Sequence, residues 1–505
     1  MSRSKNLLYN STVAILYQLI VMLVGFIVPK VMINYYGSEV NGLVTSITQF
    51  ISYFLLVEAG LSSASIFALY KPLANNEHKN ISRIIVATHK FYLISGYIFL
   101  GLITILVIFY PQFAHIDALS NKEIIFLILA LGCNGVADFF TLGKYRAILT
   151  ASQKSYVISI ASIVYYIVNT GIIVICAKIG MNVAWGRLLA SSAIIFRSII
   201  LIVYVKKKFS YINFKEKPNY DALDKRWAAF YNQVITAVQK GTPVIILTMM
   251  GNFIQLSIYS IYEMVMQGVR GILDIFINGL QAGFGELIAK NESKVLAKAY
   301  NDFEFMYYSV ITVIYSVSCI MIIPFIRIYT KDIKDANYIN IILGFLSVIN
   351  SLLYNVKTPQ GMMVMSAGLY KETKIQTSIQ AGIIIVLGFP LAFKWGSYGI
   401  LIALCLSNLY RVIDLLIFIP KYIKGINLFV SLKRIILIGI EFIIITIVCN
   451  GIFNLSEINV LQWILYAIIS TLIALSIVLL GAIIFDRRTL KNVINRISVL
   501  LKKKG

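Results

Sequence analysis

The chain has 505 residues, of which 59% are hydrophobic and only 13% are charged, and its mean hydropathy is +0.82. A soluble domain has about 25% charged residues, so this chain cannot cover a water-facing surface, and a soluble protein is excluded. The 45 lysines and arginines outnumber the 22 acidic residues and give a net charge of +23, which in a membrane protein indicates basic cytoplasmic loops rather than nucleic-acid binding.

Fourteen segments are long and apolar enough to be transmembrane helices, each of which needs about 20 residues. Isoleucine and leucine dominate them, and they lack the alternating pattern of an outer-membrane barrel. The predicted spans are 11–34, 41–66, 86–110, 123–142, 156–178, 182–205, 228–250, 256–282, 302–324, 337–358, 376–394, 398–419, 435–454 and 461–485. We therefore expect an all-α polytopic membrane protein.

The first twelve spans form two blocks that look like repeats. The turn 149–154 after span four is similar to the turn 365–371 after span ten, about 216 residues later. The outer loops 177–180 and 393–396 match at the same offset. Because each block has an even number of spans, the copies share one orientation, which predicts a pseudo-two-fold axis along the membrane normal. The predicted parts are an N-terminal lobe (1–205), a cytoplasmic linker (206–227), a C-terminal lobe (228–420), two extra C-terminal spans (421–485) and a basic cytoplasmic tail (486–505).

The positions of lysine and arginine predict the orientation. With the N-terminus in the cytoplasm, the cytoplasmic segments hold 31 of the 45 basic residues and the outer loops hold six. Cytoplasmic loops carry the excess of these residues, so both termini are predicted to be cytoplasmic. Apolar residues repeat at helical spacing in the basic tail, which predicts a helix on the inner leaflet; a plain charged anchor is the alternative.

Eight basic residues remain inside the predicted spans. Lys240, Arg270 and Arg411 lie about a dozen residues from one span end, and Arg197 lies somewhat closer to the inner side. A cation at mid-bilayer costs roughly 2.5–3.5 kcal/mol, so we expect these residues to face an aqueous cavity or an acid. The other four lie near span ends, where long side chains can reach the headgroups: Lys30, Lys90, Arg187 and Lys357.

Three spans carry polar residues along one face at helical period. In span seven these are Asn232, Thr236, Gln239 and Lys240; in span eight Glu263, Gln267, Arg270, Asp274, Asn278 and Gln281; and in span twelve Ser407, Asn408, Arg411 and Asp414. Two interpretations are open. In the first, ion pairs such as Arg270–Asp274 and Arg411–Asp414 have a purely structural role and hold the bundle together. In the second, which we favour, the faces line a polar cavity between the blocks.

Acids within the spans are candidates for coupling transport to an ion gradient. Glu263 and Asp274 flank Arg270, while Glu58 and Asp138 are the acids of interest in the first block and could equally be structural pairs. The sequence has no nucleotide-binding loop, no metalloprotease motif and no cysteine spacing typical of a metal site. We therefore predict no cofactor, no metal and no catalytic residue, with H⁺ or Na⁺ coupling left open.

Four short motifs, together with the fourteen-span layout and the repeat, resemble the Wzx-type polysaccharide flippases of the MOP exporter superfamily over the whole chain. These motifs are 6–10 (NLLYN), 36–43 (YGSEVNGL), 58–61 (EAGL) and 69–73 (LYKPL). The resemblance implies a V-shaped bundle that translocates undecaprenyl-diphosphate-linked oligosaccharide from the inner to the outer leaflet of a bacterial plasma membrane by alternating access. Capsule, exopolysaccharide or O-antigen would be the product.

That resemblance implies roles for the charged residues. The diphosphate would bind Lys240, Arg270, Arg411 and Arg197, and the cavity or coupling acids would be Glu263, Asp274, Asp414 and Glu58. The implied partners are the lipid-linked oligosaccharide, membrane lipids, a polysaccharide polymerase and glycosyltransferases, and no nucleic acid.

Three alternative functions stay open. A MATE-like exporter of organic cations would favour a mainly acidic cavity. A lipid II exporter related to MurJ would carry arginine in its first span, where this chain has only Lys30. A membrane polysaccharide polymerase or ligase would need a large outer loop, and the longest predicted outer loop has about a dozen residues.

Overall fold

The computed structural model describes residues 3–114, 116–223, 226–423, 425–455 and 458–502. Its side chains are described over these ranges except for residues 3–8, 226–229, 232, 275, 276, 278, 279, 281, 282 and 497–502. Three members of the predicted polar faces, Asn232, Asn278 and Gln281, therefore lie outside the described side chains.

The regular elements within the described ranges are helices, as expected where no water satisfies backbone hydrogen bonds. The first ten are α1 (Arg3–Tyr36), α2 (Ser38–Phe54), α3 (Leu61–Ala74), α4 (His78–Phe113), α5 (Asn121–Ala137), α6 (Gly143–Ala151), α7 (Ser155–Lys178), α8 (Val183–Ser191), α9 (Ile194–Lys208) and α10 (Arg226–Met249). The others are α11 (Phe253–Ala289), α12 (Ser293–Tyr329), α13 (Ile341–Val356), α14 (Thr358–Ala367), α15 (Lys374–Trp395), α16 (Ser397–Tyr422), α17 (Leu428–Ile452), α18 (Val460–Phe485) and α19 (Arg487–Lys502). The prediction of an all-α polytopic membrane protein is confirmed.

Twelve helical segments in the described part of the chain are long and apolar enough to cross a bilayer. Helices α10 and α11, of 24 and 37 residues, coincide with predicted spans seven and eight but are not among the twelve. The count of fourteen spans therefore stays a prediction.

The chain divides into two compact units, Met1–Ser260 and Ile261–Gly505. In the first unit, α1 packs against α7, α5 against α8, and α3 against α6. In the second, α16 packs against α13 and α15, and α12 packs against α17 and α18. The boundary lies inside α11, whereas the predicted lobes 1–205 and 228–420 are defined by repeats rather than contacts and stay a prediction.

Several predicted spans are interrupted helices. A 3₁₀ turn (Leu55–Glu58) separates α2 from α3, a π-helical turn (Asp138–Leu142) separates α5 from α6, and Lys357 lies between α13 and α14. Residues 192 and 193 separate α8 from α9 in the same way. Charged residues thus lie at three of the four interruptions, as in transporters whose broken helices form binding sites.

The hairpin of α15 and α16 depends on two glycines. Gly396 joins the helices with φ +57°, a conformation that side-chain-bearing residues rarely adopt. A Cβ at Gly399 would lie 2.0 Å from the backbone oxygen of Leu391. The absence of a side chain at Gly399 therefore allows the two helices to approach closely.

The linker and the tail both pack against helices of their own unit. In the linker, the backbone N–H of Asn213 donates a hydrogen bond to Ser82 of α4 over 3.1 Å. In the tail, which is helical as predicted, Leu490 and Val493 pack against Phe305 of α12. Part of the apolar face of α19 is thus covered by protein, and its placement on the inner leaflet stays a prediction.

Candidate functional site

A cluster of polar and charged side chains in the second unit joins α11 to α13. Arg270 of α11 forms a close ion pair with Glu263, two helical turns earlier, and donates a 2.7 Å hydrogen bond to the hydroxyl of Ser351 on α13. The Tyr354 ring lies 5.8 Å from the Arg270 guanidinium and 4.6 Å from the ammonium of Lys357. One aromatic ring therefore bridges two cations by cation–π contacts.

The same cluster continues from Lys357 to α16. The Lys357 ammonium donates a 2.8 Å hydrogen bond to the amide oxygen of Asn408, whose amide nitrogen donates to Asn350 over 2.8 Å. One turn further along α16, Arg411 pairs with Asp414 at 2.5 Å, and Arg411 is only 7% exposed. We call the group formed by Arg270, Glu263, Tyr354, Lys357, Asn408, Arg411 and Asp414 the second-unit cluster.

Lys357 differs from the two arginines of this cluster. Arg270 and Arg411 each have a carboxylate partner, whereas over the described residues no carboxylate lies within ion-pair distance of Lys357. The sequence predicted that Lys357 would reach the headgroups from a span end. That prediction is wrong, because the ammonium instead lies between Tyr354 and Asn408.

A second cluster lies in the first unit, at two of the helix interruptions. Arg146 pairs with Glu58 at 3.3 Å and with Asp138 at 3.8 Å, and Arg197 pairs with Asp138 at 3.4 Å. We call these four residues the first-unit cluster. The sequence placed Arg146 in a cytoplasmic loop, but α6 continues the predicted span four and carries this residue into the cluster.

The eight predicted site residues are divided between the units. Lys240, on α10, has an exposed side chain in the first unit, where Arg197 and Glu58 belong to the first-unit cluster. The second-unit cluster contains Arg270, Arg411, Glu263 and Asp414, and Asp274 has an exposed side chain on α11.

Sequence reasoning missed a third group, which is more deeply buried. Arg434 of α17 pairs with Glu304 of α12 at 2.9 Å and with Asp486, just after α18, at 2.6 Å. The side chains of Arg434 and Glu304 are 5% and 1% exposed. The sequence placed Arg434 one residue before a predicted span, but α17 begins at Leu428 and includes it. We call these three residues the α17 ion cluster.

No protein-family model and no curated protein matches this sequence. Solved structures do match, at low identity. The lipid II flippase MurJ in an inward closed conformation is 14% identical, with a TM-score of 0.66 over 93% of this chain and 99% of that chain. An inward-facing multidrug resistance MATE family transporter of the MOP superfamily is 13% identical, with a TM-score of 0.61 over 85% of this chain and 98% of that chain.

A MOP superfamily transporter from Pyrococcus furiosus, described as having a binding pocket of reverse polarity, is 15% identical. Its TM-score is 0.57 over 84% of this chain and 94% of that chain. At such identities the likeness shows the fold alone. The chain is therefore a multi-pass membrane protein whose fold is similar to that of the solved MurJ and MATE structures.

Proposed function

We propose that the protein is a flippase for undecaprenyl-diphosphate-linked oligosaccharides, which it translocates from the inner to the outer leaflet of a bacterial plasma membrane by alternating access. The resemblance of its motifs to Wzx-type flippases supports this substrate. The similarity of the fold to a lipid II flippase is compatible with a lipid-linked substrate. Both termini would be cytoplasmic, and the product would pass to a polysaccharide polymerase.

The observation that carries the proposal is the environment of Lys357. Its ammonium lies beside a π face and an amide oxygen in a helix interruption and has no carboxylate partner among the described residues. A cation inside membrane helices is costly unless it is compensated. A diphosphate would supply the missing negative charge, whereas an organic cation would be repelled.

Diphosphate binding at Lys357 would also engage the neighbouring arginines. Arg270 presents a planar donor fork that matches phosphate oxygens in two hydrogen bonds, and it is already paired with Glu263. The phosphate would compete with that carboxylate and free it to take up H⁺ or Na⁺. Anion and cation binding would then be thermodynamically linked, and Arg411 with Asp414 could act in the same way.

Residues of the first unit have supporting roles in this proposal. Lys240 and Arg197 remain candidates for binding the diphosphate. Glu58, paired with Arg146, remains a candidate coupling acid. These assignments rest on the type and depth of each residue, and single substitutions in the same transport assay test them.

The test is flipping of a fluorescent undecaprenyl-diphosphate oligosaccharide in vesicles that contain the purified protein. Lys357→Met, Arg270→Ala and Arg411→Ala should each slow flipping about 10- to 100-fold, the equivalent of one charge-assisted hydrogen bond. Lysine at either arginine position should restore flipping only in part. Lys394→Met is the matched control, because the exposed Lys394 side chain lies over Trp395 at the end of α15.

Wild-type flipping rates in all three variants would overturn the diphosphate site. Lipid II and a fluorescent organic cation serve as competing substrates in the same vesicles. Transport of lipid II in preference to the longer oligosaccharide lipid would identify a lipid II exporter, and transport of the organic cation alone would identify a MATE-like exporter.

A further inference from the structure

A single acid lies in the middle of α17. Glu441 is the one acidic residue among the 25 of this helix and lies 13 residues from its first residue, a rise of about 20 Å. The residue is 5% exposed, and its Oε1 atom has no hydrogen-bond partner among the described residues. Ionised carboxylates are rarely buried without a partner, because the loss of hydration is not compensated.

The Glu441 carboxyl borders a cavity of about 30 Å³ between α12, α17 and α18. One water needs about 10–15 Å³ of such space, so the cavity has room for one or two waters. Its polar lining includes Ser309 and Thr312 of α12, and its apolar lining includes Ile438 and Val478.

The absence of a side chain at Gly481 of α18 makes room for the Glu441 carboxyl. A Cβ at this position would lie 2.0 Å from Oε1 of Glu441. The carboxyl therefore lies directly against the backbone of α18, where any larger residue would push it away. The position is consequently defined by the packing of two helices and not by a hydrogen bond.

The charged groups that line the cavity already have partners. Arg434 and Asp486 border the cavity and pair with each other, and Arg434 also pairs with Glu304 of α12. Tyr308 of α12, the other titratable group in the lining, donates a 2.9 Å hydrogen bond to the backbone oxygen of Val356. No cation in the lining is therefore left to compensate Glu441.

The two directions along α17 from Glu441 differ in polarity. Toward the start of the helix the cavity reaches Arg434 and Asp486, and the side chain of Asp486 is 21% exposed. Toward the end of the helix an apolar cluster follows, which includes Ile445, Cys449 and Ala474, each 0% exposed. The cavity therefore connects Glu441 with the Asp486 end, and a packed apolar cluster lies beyond it.

We propose that Glu441 is a proton-binding site of the α12–α17–α18 bundle, loaded and unloaded through this cavity from the Asp486 end. A proton needs one carboxyl oxygen, whereas a metal cation needs a shell of oxygen ligands. Much of the lining is apolar, and the hydroxyls of Ser309 and Thr312 already donate hydrogen bonds to backbone oxygens of α12. The site is separate from the second-unit cluster. The proposal for Glu441 does not depend on the proposed substrate.

The test is infrared spectroscopy of the purified full-length protein, with no substrate present. A protonated carboxylic acid has a carbonyl stretching band that is distinct from the bands of ionised carboxylates. This band should be present at neutral pH, disappear at alkaline pH and be missing in Glu441→Gln. Glu286→Gln is the control, because Glu286 is exposed and paired with Lys290, and this variant should retain the band.

Two further variants test the geometry and keep the proposal falsifiable if Glu441→Gln does not fold. Gly481→Ala should displace the carboxyl from its position against α18 and change both the band frequency and the pH at which the band disappears. Ala482→Leu, which fills the cavity, should slow the shift of the band after transfer into heavy water.

Three results would overturn the proposal. One is the absence of the band at neutral pH, with or without Na⁺. The second is a band that persists in folded Glu441→Gln. The third is a band in Gly481→Ala with the wild-type frequency and pH dependence.

Discussion

At the scale of residues, buried charges have partners both on their own helix and on other helices. The sequence offered Asp274 as an intrahelical partner for Arg270, and the structure adds an ion pair with Glu263 on the same helix and a hydrogen bond to Ser351 on α13. The Arg411–Asp414 pair, which the sequence also offered, is present. Helical periodicity predicts which side chains share a face, but cross-helix partners depend on how helices pack.

The α17 ion cluster should be the most sensitive of these groups to the loss of one partner. Arg434→Leu leaves the 1%-exposed carboxylate of Glu304 without its cation, which should lower the free energy of unfolding by about 3–5 kcal/mol. Thermal unfolding in detergent measures the effect. Adding Glu304→Gln to this variant should restore part of the loss, because the remaining side chain is neutral.

The control for this comparison is Lys290→Met. Lys290 and Glu286 form an exposed pair, and such pairs contribute about 0–1 kcal/mol. Equal melting temperatures for the Arg434→Leu and Lys290→Met variants would show that the α17 ion cluster does not contribute to stability in the way its burial implies.

Glu263 and Asp274 should determine how transport is coupled to ions. If diphosphate binding releases a carboxylate from Arg270, Glu263→Gln or Asp274→Asn should weaken the dependence of flipping on pH, Na⁺ or voltage. Vesicles with imposed gradients measure this dependence, and Glu286→Gln is the control. If both variants keep the wild-type dependence, the two acids are structural, and Glu58 or Asp414 becomes the candidate for coupling.

At the scale of elements, the positions of several charged residues depend on where helices are interrupted. Apolar content predicted continuous spans at 41–66, 123–142 and 337–358, but the structure interrupts or extends each of them. Glu58, Asp138 and Lys357 lie at these interruptions. Hydropathy is averaged over about 20 residues and therefore does not detect a single turn of 3₁₀ or π helix.

The hairpin of α15 and α16 provides a test at this scale. Gly399→Ala places a Cβ 2.0 Å from a backbone oxygen, and backbone atoms cannot rotate away as a side chain can. We expect a loss of about 1–3 kcal/mol in stability from overpacking, measured by thermal unfolding. Gly382→Ala on the same helix pair is the control, because no atom lies within 4 Å of its added methyl group; a similar loss there would contradict the packing explanation.

At the scale of the whole molecule, charge distribution predicts how the protein lies in its membrane. Twelve described segments can cross a bilayer by length and composition, and the fold is similar to that of solved MurJ and MATE structures. The orientation depends on the excess of basic residues in alternate loops, which is a feature of the sequence. In the proposed flippase, that orientation would set the direction of transport.

Cysteine accessibility in intact cells tests the orientation. Single cysteines at Asp117 and Asp332 should react with a membrane-impermeant maleimide, and cysteines at Lys208 and Lys374 should react only after permeabilisation. A position near Glu457, which lies outside the described residues, should react like the first two. The five native cysteines are replaced beforehand, and labelling at Lys208 in intact cells would reverse the orientation.

The sequence by itself determined the membrane class, the helical fold and the presence of charged residues within spans. These features depend on apolar content and on the free-energy cost of burying a charge. The sequence did not reveal the contacts of Lys357, Arg146 and Arg434, which it placed near span ends or in loops. Nor did it single out Glu441, although one acid in 25 mainly apolar residues was a visible signal. Only the tertiary structure decided which charges meet and which polar atom is left without a partner, because those contacts depend on the interruption, rotation and close approach of helices distant in the chain.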